Sequence, residues 1–114
     1  MSRLTSSFWV QAYIKKLNLM GVPAFVVSHG DDTAGAIIVK VNKLNGDAVY
    51  KLNGDAVLFE RSFSLDKNLN QWSKFESGEE KELDELLSRQ LSRDRDLWIV
   101  EIESREGDPF LDDI

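Results

Sequence analysis

Apolar residues recur with helical spacing from Phe8 to Met20. Trp9, Tyr13, Leu17 and Met20 fall at i, i+4, i+8 and i+11, and Val10 and Ile14 widen the stripe. The pattern predicts a helix with Lys15, Lys16 and Asn18 on its wet face and Ser6 or Ser7 as its cap. Gly21 followed by Val22-Pro23 predicts its end, because glycine takes the left-handed cap and proline cannot continue the helix.

The period then changes to two. Ala24 to Ser28 predicts a short apolar strand, and His29-Gly30-Asp31-Asp32-Thr33 a polar turn. Ala36 to Lys43 alternates, with Ile37, Val39 and Val41 on one face and Lys40 and Asn42 on the other. Ile38 interrupts the polar face, so this strand is expected to be central and partly covered on both sides. Leu65 to Glu76 reads as polar and irregular apart from Trp72 and Phe75. Ser77-Gly78-Glu79-Glu80 has the form of a capping box that opens a second helix. Leu83, Leu86, Leu87 and Leu91 form its apolar stripe, expected to pack on Val100 and Ile102 or their neighbours. Leu97 to Glu103 is the clearest strand. Trp98, Val100 and Ile102 point one way, and Ile99, Glu101 and Glu103 the other. After a turn at Glu106-Gly107-Asp108-Pro109, residues 110–114 read as a mobile acidic tail.

Between the central strand and the irregular stretch lies an uninterrupted tandem repeat. Lys43-Leu44-Asn45-Gly46-Asp47-Ala48-Val49 recurs, residue for residue, as Lys51-Leu52-Asn53-Gly54-Asp55-Ala56-Val57. Each copy carries an Asn-Gly pair between apolar residues, a strong hairpin signal. If both pairs turn, Val41 lies opposite Tyr50, Tyr50 lies opposite Val57, and three strands form a meander. The repeat length of eight is even, so both turns keep the same face inward. If one pair turns, a single hairpin carries the extra copy as a loop. Either way a 43–58 ribbon with an unpaired edge is expected to project and to meet a partner protein, most simply the same ribbon of a second subunit in a homodimer.

The fold class expected is α+β in the order α-β-β-β(β)-α-β. It is a mainly antiparallel sheet with two helices packed chiefly on one face and a projecting Asn-Gly hairpin. The last strand follows a helix and can join in parallel. At 114 residues the chain is expected to be a single domain, 1–114. It has no cysteine, which excludes disulfides, thiolate catalysis and cysteine-ligated metals. No apolar run approaches the roughly 18 residues needed to span a membrane, and the first residues lack the core and cleavage site of a signal peptide. A soluble, cytoplasmic protein without membrane contact is expected. Net charge is −6, divided unevenly: residues 1–57 carry six Lys/Arg against four Asp/Glu, and residues 58–114 eight against sixteen. The acidic half repels phosphate backbones and disfavours nucleic acid as a partner.

Several strings resemble the alphaproteobacterial "domain of unknown function 1491" family. They are Trp9-Val10-x-Ala12-Tyr13, Gly21-Val22-Pro23-Ala24, Gly30-Asp31 followed by Ala34-Gly35-Ala36, Val39-Lys40-Val41-Asn42, and Asp96 through Glu103. They span nearly the whole chain in order. The resemblance implies a small single-domain bacterial protein with no assigned activity, and it transfers no active site. The doubled repeat departs from the family's usual single copy.

Candidate chemistry is sparse. His29, Asp31 and Asp32 share one turn and could ligate a metal, but a site needs three or four convergent ligands and there is no second histidine. The same residues suit an ordinary turn. Glu101 and Glu103 share a strand face about 6.5–7 Å apart, a spacing open to paired carboxylates and equally to a half-exposed strand. The element order has an analogue in restriction-type nucleases, yet the Glu-x-Lys at Glu79-Glu80-Lys81 falls on a predicted helix. Trp72 and Phe75 either lid the core or meet a partner. No glycine-rich phosphate loop or nucleophile motif occurs, and no cofactor is expected. These residues favour a non-enzymatic interaction or regulatory protein. The alternative is a metal-dependent hydrolase or nuclease-like enzyme of unrecognised type that uses the surface carboxylates.

Overall fold

The computed structural model describes residues 5–43, 55–64 and 69–111. Helix α1 (Ser6–Leu19) is followed by β1 (Ala24–Ser28), β2 (Ile37–Lys43), β3 (Asp55–Ser64), β4 (Leu69–Glu79), helix α2 (Glu80–Arg93) and β5 (Trp98–Glu103). The strands form one sheet in the order β1-β5-β2-β3-β4. The β2–β5 pair is parallel and the other three are antiparallel. α2 carries the chain from the β4 edge back across the sheet, which is why β5 can enter beside β2 in parallel.

Thr5, not Ser6 or Ser7, caps α1, its hydroxyl accepting from Phe8 N at 3.2 Å. Ser6 is buried and donates instead to Gly35 O at 2.6 Å. The C-terminal stop is as expected. Gly21 has φ +75°, Gly21 N donates to Asn18 O, and Val22 N donates to Leu17 O.

The helices lie on opposite faces of the sheet, which corrects the expectation of one shared face. Trp9, Val10, Tyr13 and Leu17 of α1 pack on Ile37, Val39, Val41, Trp98, Val100 and Ile102. Leu83 and Leu87 of α2 pack on Ile38, Ala56, Leu58, Leu97 and Ile99. The leucine stripe thus meets neighbours of Val100 and Ile102 rather than those residues. The physical reason is that β2 and β5 carry apolar residues on both faces, with Ile38 and Ile99 among the polar residues of the second, and each face that holds them needs a cover.

Three further expectations change. Residues 69–76, read as irregular, and 77–79, read as the start of a capping box, together form β4, which pairs with β3 from Ser64↔Leu69 to Asp55↔Glu79. Ser77 belongs to that ladder, so it does not cap α2; Glu79 is the N-cap and makes no side-chain cap bond. The tail is anchored through Leu111, which is buried against α1. Tyr13 OH donates to Pro109 O at 2.6 Å, and Lys16 Nζ donates to Phe110 O at 3.2 Å. Residues 112–114 lie outside the described residues.

The three-strand meander is also replaced. β2 pairs directly with β3, Val41 opposite Val57 and Lys43 opposite Asp55. The other side of β2 is taken by β5. No side of β2 is left for a strand containing Tyr50, and the fourth strand between the helices is β4. Residues 44–54, with both Asn-Gly pairs, lie outside the described residues. Of the described parts of the 43–58 ribbon, 55–58 are paired on both sides and Lys43 is paired with Asp55, so the unpaired edge expected there is absent from 55–58. Among the described residues the outer strands of the sheet are β1 and β4, each paired on one side.

Candidate functional site

The 29–35 turn wedges between the start of α1 and the start of β5. Asp31 N donates to Asp96 O at 3.0 Å, and Trp98 Nε1 donates to Asp31 O at 2.7 Å. The Asp31 carboxylate accepts from Thr33 N and Ala34 N at 3.1 and 2.9 Å. These are turn-closing bonds of the kind aspartate makes to its own following backbone. A Cβ on Gly30 or Gly35 would collide with Asp96 O, so both glycines are set by close approach to that backbone. His29 is exposed. Its ring lies 4.1 Å from the Trp98 ring, and its Nε2 is 2.7 Å from Asp32 Oδ1.

Glu101 lies across the sheet from this turn. His29 rests on Trp98, which belongs to the α1 face, whereas Glu101 joins Lys40 and the carboxylates of α2 on the other face. The sheet therefore separates the histidine turn from Glu101. No group of three or more His, Asp or Glu placed to hold a metal occurs among the described residues.

Glu101 belongs to a network that the sequence did not signal. The Lys40 side chain is 4% exposed, and its Nζ lies 2.6 Å from Asp84, 3.0 Å from Glu80 and 3.4 Å from Glu101. Asn42 Nδ2 donates to the same Glu101 oxygen. Burial opposes the lysine's charge, but the hydrogen bonds to Asp84 and Glu80 and the field of Glu101 outweigh it. The pKa is held above the usual lysine value. A lysine acts as a base or nucleophile only when neutral, so this one is set for pairing rather than attack. Glu103, half-buried, sits beyond the network and is not among its contacts.

Trp72 and Phe75 are both half-buried and lie on opposite faces. Trp72 packs 5.0 Å from Trp9 on the α1 face, and Phe75 packs beside Leu83 and Leu87 on the α2 face. They flank the two cores rather than form a common patch.

The exposed large apolar side chains among the described residues are Phe8 and Leu19 of α1, its C-cap Met20, and three consecutive residues of β1. Phe25, Val26 and Val27 are 55%, 43% and 55% exposed. Glu103 N donates to Pro23 O, and the ladder runs Ala24↔Ile102, Phe25↔Glu101, Val26↔Val100. Hydrogen-bonded pairs alternate in an antiparallel ladder. Phe25 therefore turns its backbone groups to β5, while Ala24 and Val26 turn theirs to the open edge. The β4 edge differs: it carries Lys74, Glu76 and Glu79 and pairs with β3 through a bulge, both of which discourage pairing.

Comparison with known proteins fits this architecture. A crystal structure of a DUF1491 family protein from Caulobacter crescentus superposes with a TM-score of 0.79 at 35% identity, over 96% of each chain. An NMR structure of a DUF1491 family protein from the same organism gives 0.72 at 33% identity, over 98% of this chain and 96% of that one. The solution structure of a protein from A. tumefaciens gives 0.69 at 29% identity, over 90% and 87%. No curated protein matches the chain. Residues 4–112 match the profile described as "Protein of unknown function (DUF1491)". With that match over nearly the whole length and the same fold in solved relatives, the chain belongs to the DUF1491 family.

Proposed function

We propose that the protein is a non-enzymatic interaction domain that offers the β1 edge to an extended strand of a partner. The observation that carries this reading is an uncharged edge strand with Phe25, Val26 and Val27 exposed and the Ala24 and Val26 backbone groups facing outward. Strand addition draws affinity from such unpaired groups and specificity from the side chains between them. The carboxylate alternative has no comparable support: Asp31 closes its own turn and Glu101 is held by Lys40 and Asn42. Among the described residues no helix is long and apolar enough to cross a membrane. We place the domain in the cytoplasm, in keeping with a chain that lacks cysteine.

Photo-crosslinking in the source cell tests the proposal. A benzoylphenylalanine at position 25 should give a discrete protein adduct, and the same group at Ser88, exposed on α2, should not. Absence of any position-25 adduct, or equal adducts at both positions, refutes the reading.

A further inference from the structure

We infer that the strand received at the β1 edge is the β1 of a second copy of this chain, paired antiparallel about a two-fold axis through Phe25. The inference rests on the interaction reading above and names its partner.

The backbone parity selects the register. Outward groups sit on Ala24 and Val26 and not on Phe25. Two such strands related by a two-fold at Phe25 place Ala24 of each copy opposite Val26 of the other. Each of these pairs exchanges both of its bonds, as a hydrogen-bonded antiparallel pair does. The β1–β5 register shift falls between Val26 and Ser28, so the residues used, 24 to 26, are the regular part of the strand. Phe25 then meets Phe25 in the non-hydrogen-bonded position, where Cα atoms approach to about 4.5 Å and side chains touch most closely. An aromatic pair there is favourable beyond its buried area.

Charge leaves this edge open to a second copy. The chain has a net charge of −6, so two copies repel wherever acidic surface meets acidic surface. From Leu17 to Gly30 there is no Asp, Glu, Lys or Arg. β1 lies within that stretch and is where two copies meet without opposing like charges. The buried area sets the strength. Three partly exposed side chains and a short ladder fall well below the roughly 800 Å² per partner of a standard stable interface. The dimer is therefore weak and concentration-dependent, and it joins two five-stranded sheets into one continuous sheet.

Sedimentation velocity on the full chain, from micromolar to millimolar concentration, tests this. The wild type should pass from monomer to dimer. Val26→Pro removes an outward N–H and leaves the bonds to β5 intact, and proline is tolerated at such edge positions. Phe25→Lys sets two ammonium groups across the axis. Each should weaken dimerisation by about tenfold or more, whereas Lys74→Ala on the β4 edge should leave it unchanged. Circular dichroism of each variant confirms that the fold survives; should one variant unfold, the other carries the test. A wild type that stays monomeric throughout, or a dimer indifferent to both β1 changes, overturns the inference. A monomeric wild type that still gives a position-25 crosslink to a different protein overturns only the identity of the partner and leaves the interaction reading standing.

Discussion

Removing one repeat unit should stabilise the protein. Lys43 pairs with Asp55, so eleven residues, 44–54, connect two paired strands. Deleting Leu44 through Lys51 leaves Leu52-Asn53-Gly54 between Lys43 and Asp55. Three-residue hairpin connections with glycine last are a favoured type, because the third residue takes the left-handed conformation. The ladder from Ile38↔Glu60 to Lys43↔Asp55 is unchanged, since no residue in it is removed. Closure entropy scales as (3/2)RT ln n, so shortening the connection from eleven to three is worth about 1 kcal/mol. For a domain of this size that corresponds to about 4 °C in Tm. Thermal and urea unfolding of the full chain and the deletion measure the difference. The sign decides between two pictures. If a strand around Tyr50 lay between β2 and β3, its deletion would strip a sheet strand of its partners and cost several kcal/mol. A loss of more than about 2 kcal/mol would refute the direct β2–β3 pairing on which the reasoning stands.

Leu87→Ala should cost about 2–5 kcal/mol, because Leu87 is 5% exposed between α2 and the sheet; urea unfolding that shows less than about 0.5 kcal/mol would place the leucine outside the core. Lys40→Met should cost about 2 kcal/mol, below the usual 3–5 for a broken buried pair because Glu80 and Asp84 can rehydrate. The folded pKa of Lys40 is raised, so its contribution is complete below the unfolded value near 10.4 and is lost as pH rises through the folded value. The gap between wild type and variant should therefore be flat from pH 6 to about 10 and shrink above; a gap that grows with pH contradicts the pairing. Tyr13→Phe should cost about 1–2 kcal/mol by leaving Pro109 O without its donor, and should speed proteolysis near Leu111. Burial, and then the charge of Asp108, raise the Tyr13 pKa, so the hydroxyl remains a donor through the alkaline range and this loss should not vary between pH 6 and 9.

Local rules carried most of the elements. Helix α1 was legible from its stripe and its Gly21-Val22-Pro23 stop, β1 from a run of apolar residues, and β5 from alternation. What failed was long-range. β4 looked irregular because its side chains, Gln71-Trp72-Ser73-Lys74-Phe75-Glu76, do not keep one strict apolar face. It is an edge strand, held by its ladder to β3 and by Trp72 and Phe75 anchored on opposite faces. Ser77 then fell in that ladder instead of capping α2. The placement of helices failed for the same reason. Ile38 and Ile99 break the polar faces of β2 and β5, and they are the residues that α2 covers. Read together, those two interruptions specify a second layer; read strand by strand, each is a minor irregularity.

The same reasoning explains why the Lys40 network was invisible. A lysine opposite apolar residues on an alternating strand suggests the wet side of a sheet. Yet Lys40 shares its face with Ile38, and a face that buries Ile38 under α2 must bury Lys40 as well. Its charge then requires partners, and α2 supplies them at Glu80 and Asp84, four residues apart on one helix face. Glu101 comes from the neighbouring strand in register, Lys40↔Glu101. Each residue alone is an ordinary charged position in a chain with 30% charged residues; parallel pairing of β2 with β5 and a helix crossing over them make a network of them. The β1 edge shows the converse. Its apolar run was read correctly as a strand, and apolar strands are expected inside a sheet. Burial of β5 between β1 and β2 leaves β1 at the rim instead, so this apolar run is the most exposed apolar strand among the described residues.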